Sequence, residues 1–273
     1  MREPVPAAAP GARRALFLRI VTPAAMLVGA ILVWDLVVRA YDIPHYILPG
    51  PGLVAQALVA DWPILSAALW VTLKITFSAL AIALLGGVLL AIVVVQSRWI
   101  EIALNPYLVI LQVTPIVAVA PLILIYAPNT QTALLICAWL VAFFPILANT
   151  TQGLKSTDHN LLDLFELYGA GKWQQLWMLR LPSALPYFLA GLRIAGGLSL
   201  IAAVVAEFAA GSAGAGSGLA FRILESQYRL NIPRLFAALF LLMLAGVAIF
   251  FVTTLISNLL LRKWHESAVR REG

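Results

Sequence analysis

Long uncharged stretches dominate the chain and divide it into predicted membrane spans. A helix needs about 20 apolar residues to cross the roughly 30 Å hydrocarbon core of a bilayer. The gaps between charged residues predict six spans, at 20–39, 69–96, 104–126, 131–149, 187–210 and 235–261. The third and fourth come from one uncharged stretch, which the turn sequence Ala127-Pro128-Asn129 divides into a hairpin. The pattern therefore predicts an all-α, polytopic membrane protein.

The composition excludes a soluble globular protein. Of the 273 residues, 62% are hydrophobic and 11% are charged, and the mean hydropathy is +0.96. Soluble domains carry about 25% charged residues. The single cysteine, Cys137, permits neither a disulfide framework nor a cysteine-based metal site, and it leaves the redox compartment open.

The basic residues predict the orientation of the chain. If both ends are cytoplasmic, twelve of the eighteen Lys and Arg residues lie inside and four lie outside, as the positive-inside rule favours. The first apolar stretch is longer than the core of a secretory signal, so we predict a retained helix. The predicted organisation is a cytoplasmic tail at 1–19, a six-span domain at 20–264 and a second cytoplasmic tail at 265–273.

The longest polar stretch, residues 150–184 between spans four and five, carries its own helical pattern. Leu161, Leu164, Phe165 and Tyr168 recur at the spacing of one helical face, and Gly169 follows where a helix C-cap favours glycine. A second amphipathic helix is predicted from Lys172 and is expected to end before Pro182. This pattern is equally typical of an interfacial hairpin that joins two spans and of a docking element.

The same loop resembles a motif in the permease subunits of ATP-binding cassette (ABC) importers. The motif is Glu-Ala-Ala, three residues, Gly, nine residues, an aliphatic residue, any residue and Leu-Pro. Here Asp163-Leu164-Phe165 keeps the acid but replaces both alanines, Gly169 matches the glycine, and Leu179-Arg180-Leu181-Pro182 ends the motif. Thr72-Leu73-Lys74 and Gly191-Leu192-Arg193 extend the resemblance to the branch that moves nitrate, sulfonates and taurine, over nearly the whole chain.

The resemblance implies a type I ABC importer permease fold in the inner membrane, and a set of partners. These are a second permease copy in a homodimer, two ATPase subunits and an extracytoplasmic solute-binding protein. The solute would be a small anion or a small heterocyclic compound. The residues expected to couple to the ATPase are Asp163, Leu164, Phe165, Glu166, Tyr168, Gly169, Ala170, Leu181 and Pro182. The chain has no Gly-x-x-x-x-Gly-Lys-Ser/Thr loop, so ATP hydrolysis is assigned to the partner.

Ionisable residues and prolines inside the predicted spans are candidate pathway residues. A charge at the bilayer centre costs about 2.5–3.5 kcal/mol, so each needs a partner or water. We expect Lys74 to pair with Glu207, with Asp35 as a competing partner, in either a packing role or a pathway role. Arg193 lies close enough to the cytoplasmic end of its span to reach the head groups. The prolines that interrupt spans three and four, and are therefore candidate hinges, are Pro115, Pro121 and Pro145.

The sequence predicts no catalytic, metal or cofactor site. Its three histidines fall in separate predicted segments, and no nucleophile motif is present. The basic excess of +6 follows from membrane topology, so it does not indicate a nucleic-acid partner. The alternative function is a secondary transporter or channel that works without an ATPase.

Overall fold

The computed structural model describes residues 10–211 and 216–262, in which every regular element is a helix. The helices are α1 (Pro10–Ala40), α2 (Pro51–Ala60), α3 (Trp62–Gln96), α4 (Arg98–Val113), α5 (Ile116–Tyr126), α6 (Thr130–Lys155), α7 (His159–Leu167), α8 (Lys172–Gln175), α9 (Leu181–Ala210), α10 (Leu219–Tyr228) and α11 (Ile232–Leu261). A π-helical turn, Leu176–Arg180, joins α8 to α9. The predicted tail at 1–19 therefore lies partly in α1, and the tail at 265–273 lies outside the described residues.

The helices confirm the predicted all-α membrane fold. Five runs are long and apolar enough to cross a bilayer: Val21–Ala40, α3, α6, Lys172–Ala210 and α11. Helices α4 and α5 make a sixth span when they are taken together. Helix α2 is shorter and apolar, and it packs beside α11.

The third span is not the continuous helix that the sequence predicts at 104–126. Thr114 and Pro115 are extended, with ψ of 120° and 116°, and the axes of α4 and α5 diverge by 98°. Proline lacks the N–H that would continue the hydrogen-bond ladder, and it disfavours helix in the residue before it. The break at Pro115 separates the third span into two limbs.

Helices α3, α6 and α9 form the tightly packed centre of the molecule. Small residues line their contacts, and Ala79, Ala138 and Ala203 are completely buried. A Cβ atom added to Gly191 would lie 2.8 Å from the carbonyl oxygen of Pro145, and one added to Gly153 would lie 2.8 Å from Ala184 Cα. Small residues of this kind let the backbones of membrane helices approach closely.

Helices α1 and α4 lie outside this centre. The described part of α1 from Val21 onward contains no buried residue, and neither does α4, all of which is described. At one end of the molecule, Arg234 of α11 bonds both carboxylate oxygens of Asp61, at 2.6 and 2.7 Å, and so fixes the α2–α3 corner. Helices α1 and α4 thus contribute no buried side chain among their described residues.

The helix predicted to end before Pro182 instead continues through it. Leu181 is helical, with φ −63° and ψ −47°, and Pro182 follows within the first turn of α9. The π-helical turn just before it changes the local hydrogen-bond pattern, so the missing N–H of Pro182 is accommodated. The connection predicted at 150–184 therefore narrows to residues 156–171, between the end of α6 and the start of α8.

Candidate coupling segment and solute pathway

Helix α7 presents an apolar surface, and none of its described residues is buried. The carboxylate of Asp158 accepts a hydrogen bond from the Asn160 N–H, at 2.8 Å, and caps the start of the helix. Leu161 and Leu164 are 43% and 45% exposed, and Tyr168, just after the helix, is 83% exposed. A short amphipathic helix with exposed apolar side chains is suited to docking in a groove of a partner.

Gly169 ends α7 with a φ of +72°, as its position in the sequence predicts. The Ala170 N–H donates to the Phe165 carbonyl and the Gly169 N–H donates to the Glu166 carbonyl, each at 2.9 Å. This pair of bonds is a Schellman motif, which requires a left-handed residue at Gly169. A Cβ atom at Gly169 would meet nothing within 4 Å in the described structure. Glycine is therefore favoured at this position by the backbone conformation, and not by a lack of space for a side chain.

The chain after Gly169, where the sequence predicts a second amphipathic helix, adds a second apolar surface whose residues the sequence interpretation did not name. Trp173, Trp177 and Met178 are each about two-thirds exposed, at 68%, 66% and 67%. Leu176 and Leu179 point the other way and are buried. The signal was present in the sequence, because two tryptophans four residues apart share one helical face. We call residues 158–180, which contain most of the residues predicted to couple to an ATPase, the coupling segment.

The break between α4 and α5 opens a cavity of about 420 Å³, here called the central cavity. Its walls come from the two limbs, from α6 and from Leu198 of α9, and its polar side chains are Gln112, Thr114 and Asn149. The predicted hinge Pro145 lines it, and the carbonyl of Pro145 accepts a hydrogen bond from Asn149 Nδ2 at 2.8 Å. Pro121 lies within α5 and does not line the cavity.

A second cavity, of about 180 Å³, adjoins the central one. The two cavities share Gln112, Phe144 and Ala148 as lining residues. The second cavity is also lined by Lys155, in the last turn of α6, which forms an ion pair with Glu101 in the first turn of α4. Lys155 is followed closely along the chain by Asp158, the cap of α7, so this ion pair lies at the end of α6 that leads into the coupling segment.

The predicted ion pair between Lys74 and Glu207 is wrong. Glu207 is 3% exposed, and its carboxylate accepts hydrogen bonds from Thr72 Oγ1 at 2.8 Å and from the Ala220 N–H at 3.0 Å. The Leu219 N–H donates to the same Thr72 hydroxyl at 2.9 Å. Glu207 and Thr72 thus satisfy the free N–H groups at the start of α10. The hydrogen-bond donors to Glu207 are therefore a hydroxyl and a backbone N–H, in place of the expected lysine. Asp35 forms its ion pair with Arg39, at 2.8 Å.

Comparison with known proteins identifies the family. The family model described as the binding-protein-dependent transport system inner membrane component matches residues 83–266, well over half of the chain. The chain belongs to this permease family. The match includes both limbs of the third span, the coupling segment and α9.

This permease is similar to ABC transporter subunits over nearly its whole length. It is 31% identical over 234 residues to a probable ABC transporter permease protein of Haemophilus influenzae, covering 86% of this chain and 94% of that protein. It is 32% identical over 240 residues to the formylaminopyrimidine transport permease protein of Halalkalibacterium halodurans, covering 88% and 94%. Matches to aliphatic sulfonate and taurine permease proteins confirm the predicted branch.

The fold of the permease also resembles that of a solved structure. A chain in the crystal structure of an amino acid ABC transporter with histidines superimposes with a TM-score of 0.59, at 20% sequence identity. The alignment covers 78% of this permease and 97% of that chain. The family and the fold together make this protein a multi-pass inner-membrane permease subunit of an ABC importer, a class that works with ATPase and solute-binding partners.

Lys74 and Arg193, the two cations that the sequence places inside the spans of the permease, lie away from the central cavity. Lys74 is exposed and lines a separate cavity of about 430 Å³ between α3 and the start of α6, together with Trp70, Ser78 and Gln131. Arg193 is half-buried in α9, and its Nε has no hydrogen-bond partner among the described residues. Neither cation lines the central cavity.

The permease also carries a charge cluster on α10 and its C-cap residue, Arg229. Glu225 pairs with Arg222 at 2.8 Å and with Arg229 at 3.0 Å. The hydrogen bond from Arg222 is the main cause that lowers the pKa of Glu225, and the charges of the neighbouring arginines act in the same direction. Glu225 is therefore held in its ionised form on this face of the permease.

Proposed function

We propose that this permease forms, as a homodimer, the path by which a small solute enters the cytoplasm. Two ATPase subunits dock at the coupling segments, and a solute-binding protein delivers the solute at the opposite face. The solute is a small anion of the nitrate, sulfonate or taurine kind, or a small heterocyclic compound such as the formylaminopyrimidine in the name of one relative. The observation that carries the proposal is an exposed apolar helix, α7, which follows α6 after a short non-helical turn, while α6 walls the central cavity.

Docking of α7 in an ATPase groove would bury its exposed leucines and Tyr168 and leave the exposed carboxylates of Asp163 and Glu166 for polar contacts. The Gly169 cap then fixes the direction in which the chain leaves the groove. Because the helix continues through Leu181 and Pro182, displacement of the segment is transmitted into α9 as well as into α6. A short helix seated in a groove moves as a rigid body with its partner.

The central cavity is the proposed solute site on the pathway. It lies at a break between two half-helices, an arrangement that transporters use to bind solutes near the middle of the membrane. Pro115 creates this break and Pro145 lines it, whereas Lys74 belongs to the neighbouring cavity beside α3. Alternating access would then consist of movement of the α4–α5 limbs against α6 and α9.

In the proposed orientation both termini and the coupling segment face the cytoplasm. Six spans place the two ends on one side, and the connection between the fourth and fifth spans lies on that side too. The proposed domain limits remain a tail at 1–19, a permease domain at 20–264 and a tail at 265–273. Lys74 and the charge cluster on α10 then lie toward the outer face, where the solute-binding protein docks.

The test is coupling in the complete importer reconstituted with its ATPase and binding protein. The probe is stimulation of ATP hydrolysis by the loaded binding protein, with solute uptake measured in parallel. Gly169→Val should abolish most of the stimulation, because a β-branched residue at this φ costs about 1–3 kcal/mol. Gly169→Asn should retain more of it, because asparagine tolerates the left-handed region.

Gly171→Ala is the matched control, since Gly171 has φ −68° and ψ 160°, which any residue adopts. Normal stimulation in Gly169→Val, with folded complex present, would contradict the coupling role. Uptake by the permease without the ATPase would contradict the importer mechanism as a whole. The solute itself is found from the compounds that raise the melting temperature of the partner binding protein.

A further inference from the structure

We infer that the central cavity selects a solute without net charge, which narrows the proposed function to the uncharged or zwitterionic compounds among its candidate solutes. This inference rests on the assignment of the central cavity to the pathway. Among the described residues that line the cavity, none is ionisable. The groups that face a solute are the amides of Gln112 and Asn149, the hydroxyl of Thr114 and apolar side chains that include the ring of Phe144.

The hydrogen bonds already made in the cavity leave neutral capacity for a solute. Asn149 donates through Nδ2 to the Pro145 carbonyl, so its Oδ1 remains an acceptor. The hydroxyl of Thr114 donates to the Ile110 carbonyl at 2.6 Å, so the lone pairs of the hydroxyl oxygen can still accept a hydrogen bond. Gln112 lies where the two cavities meet, and its amide supplies both donors and an acceptor. Such a set recognises a polar solute through matched hydrogen bonds.

The helix ends at the break carry no net charge either. The C-terminal end of α4 and the N-terminal end of α5 border the same cavity, through Gln112 and Ile116. Helix dipoles place about half a negative charge at the first end and about half a positive charge at the second. The two ends therefore offset one another, and a monovalent anion in this partly open cavity would have no counter-ion among the lining residues. A charge that leaves bulk water without a partner is unfavourable.

The cations that could attract an anion are elsewhere, and Arg193 of α9 does not line the central cavity. Lys74 lines the cavity beside α3, which shares no lining residue with the central cavity. Lys155 lies at the far end of the second cavity, where its ion pair with Glu101 offsets its charge. Selection against anions is therefore expected at the central cavity itself.

The test uses thiol reagents of similar size and different charge on the complete importer in inverted membrane vesicles. Cys137 is the single cysteine of the sequence and is completely buried. Cys137→Ala therefore provides a background without another thiol in the permease. In this background Ala148→Cys places a thiol where the two cavities meet. The reagents are the 2-hydroxyethyl, 2-sulfonatoethyl and 2-(trimethylammonium)ethyl methanethiosulfonates. The exposed position Ser156→Cys corrects for their intrinsic reactivities.

We expect both charged reagents to modify Ala148→Cys at least about tenfold more slowly than the hydroxyethyl reagent, after correction. Adding Gln112→Lys should restore the rate of the sulfonate reagent, because it supplies a counter-ion. Equal corrected rates for the neutral and sulfonate reagents would overturn the inference and leave the pathway intact. A slow sulfonate reaction that Gln112→Lys does not change would also overturn it, since the barrier would then be steric. If no reagent reaches Ala148→Cys with or without ATP, the pathway assignment fails and the inference fails with it.

Discussion

The contact between α6 and α9 and the contact between α6 and α4 show how differently one helix can be held on two sides. On the α9 side, Gly153 and Gly191 bring the backbones so close that a single added methyl group would overlap a neighbour. On the α4 side, no described residue of α4 is buried, and the ion pair between Glu101 and Lys155 joins the two helices at one end. The central cavity lies between these two sides of α6.

The difference separates two kinds of substitution. Changes at the α6–α9 contact should act on folding, because close-packed backbones cannot make room for added volume. Changes on the α4–α5 limbs should act on transport and leave the folded protein intact. The predictions below test that separation, with the capping contacts at the start of α10 as a second tightly held site, in order of decreasing expected effect.

Gly191→Val should cause the largest loss of stability. Its side chain would meet the Pro145 carbonyl oxygen and Asn149, and overpacking of this kind costs about 1–3 kcal/mol or more. The measurement is the yield of monodisperse, detergent-extracted permease and its melting temperature. Gly197→Val is the matched control in the same helix, because a Cβ there meets nothing within 4 Å in the described structure. Equal yields for the two variants would contradict the tight α6–α9 contact.

Thr72→Val should destabilise the region around α10 by about 1–3 kcal/mol, because it leaves the Leu219 N–H and a Glu207 oxygen without their shared partner. Melting temperature and protease sensitivity of α10 would measure the loss. Thr76→Val is the control. The hydroxyl of Thr76 is also buried, but it donates only to the carbonyl of Thr72 in the same helix. A larger effect at Thr76 than at Thr72 would rule out the capping role.

Pro115→Ala should reduce transport while the melting temperature stays nearly unchanged. Alanine restores the N–H and the helix tolerance that proline removes, so the two limbs can straighten and close the central cavity. Uptake by the reconstituted importer is the measurement. Pro121→Ala, in α5 but away from the cavity lining, is the comparison. Unchanged uptake in Pro115→Ala would show that the break is not required.

Glu101→Gln should have a small effect, a loss of stability of less than about 1 kcal/mol, because both partners of its ion pair are partly exposed. A double-mutant cycle with Lys155→Gln, followed by melting temperature, measures the coupling between the two residues. A coupling well above this value would mean that α4 is held as firmly as α9, and the comparison that opens this discussion would not stand.

The sequence predicted what depends on local pattern. The spans follow from runs of uncharged residues, and the cap at Gly169 follows from a helical face that stops at a glycine. The break at Pro115 was only half predicted, because proline marks the position, whereas the 98° angle depends on how α5 packs against α6 and α9 and how α4 packs against α3 and α6. Continuation of the helix through Pro182 was missed because the preceding π-helical turn has no clear sequence signal.

The partner of Glu207 was missed for a different reason. The sequence shows side-chain charges, so Lys74 was the natural partner at a similar depth. The groups that Glu207 binds are a hydroxyl and a backbone N–H at the start of another helix, and neither is visible as a charge. The cavity was out of reach as well, since its lining residues come from four helices that only the tertiary fold brings together.

The central claim is that the coupling segment controls access to the central cavity, and one rate tests it most directly. The rate is that of Ala148→Cys modification by the neutral hydroxyethyl reagent in the complete importer, with and without ATP and vanadate. We predict that nucleotide trapping changes this rate severalfold when Gly169 is present and has little effect in Gly169→Val. A rate that responds equally to trapping in both proteins would contradict the claim.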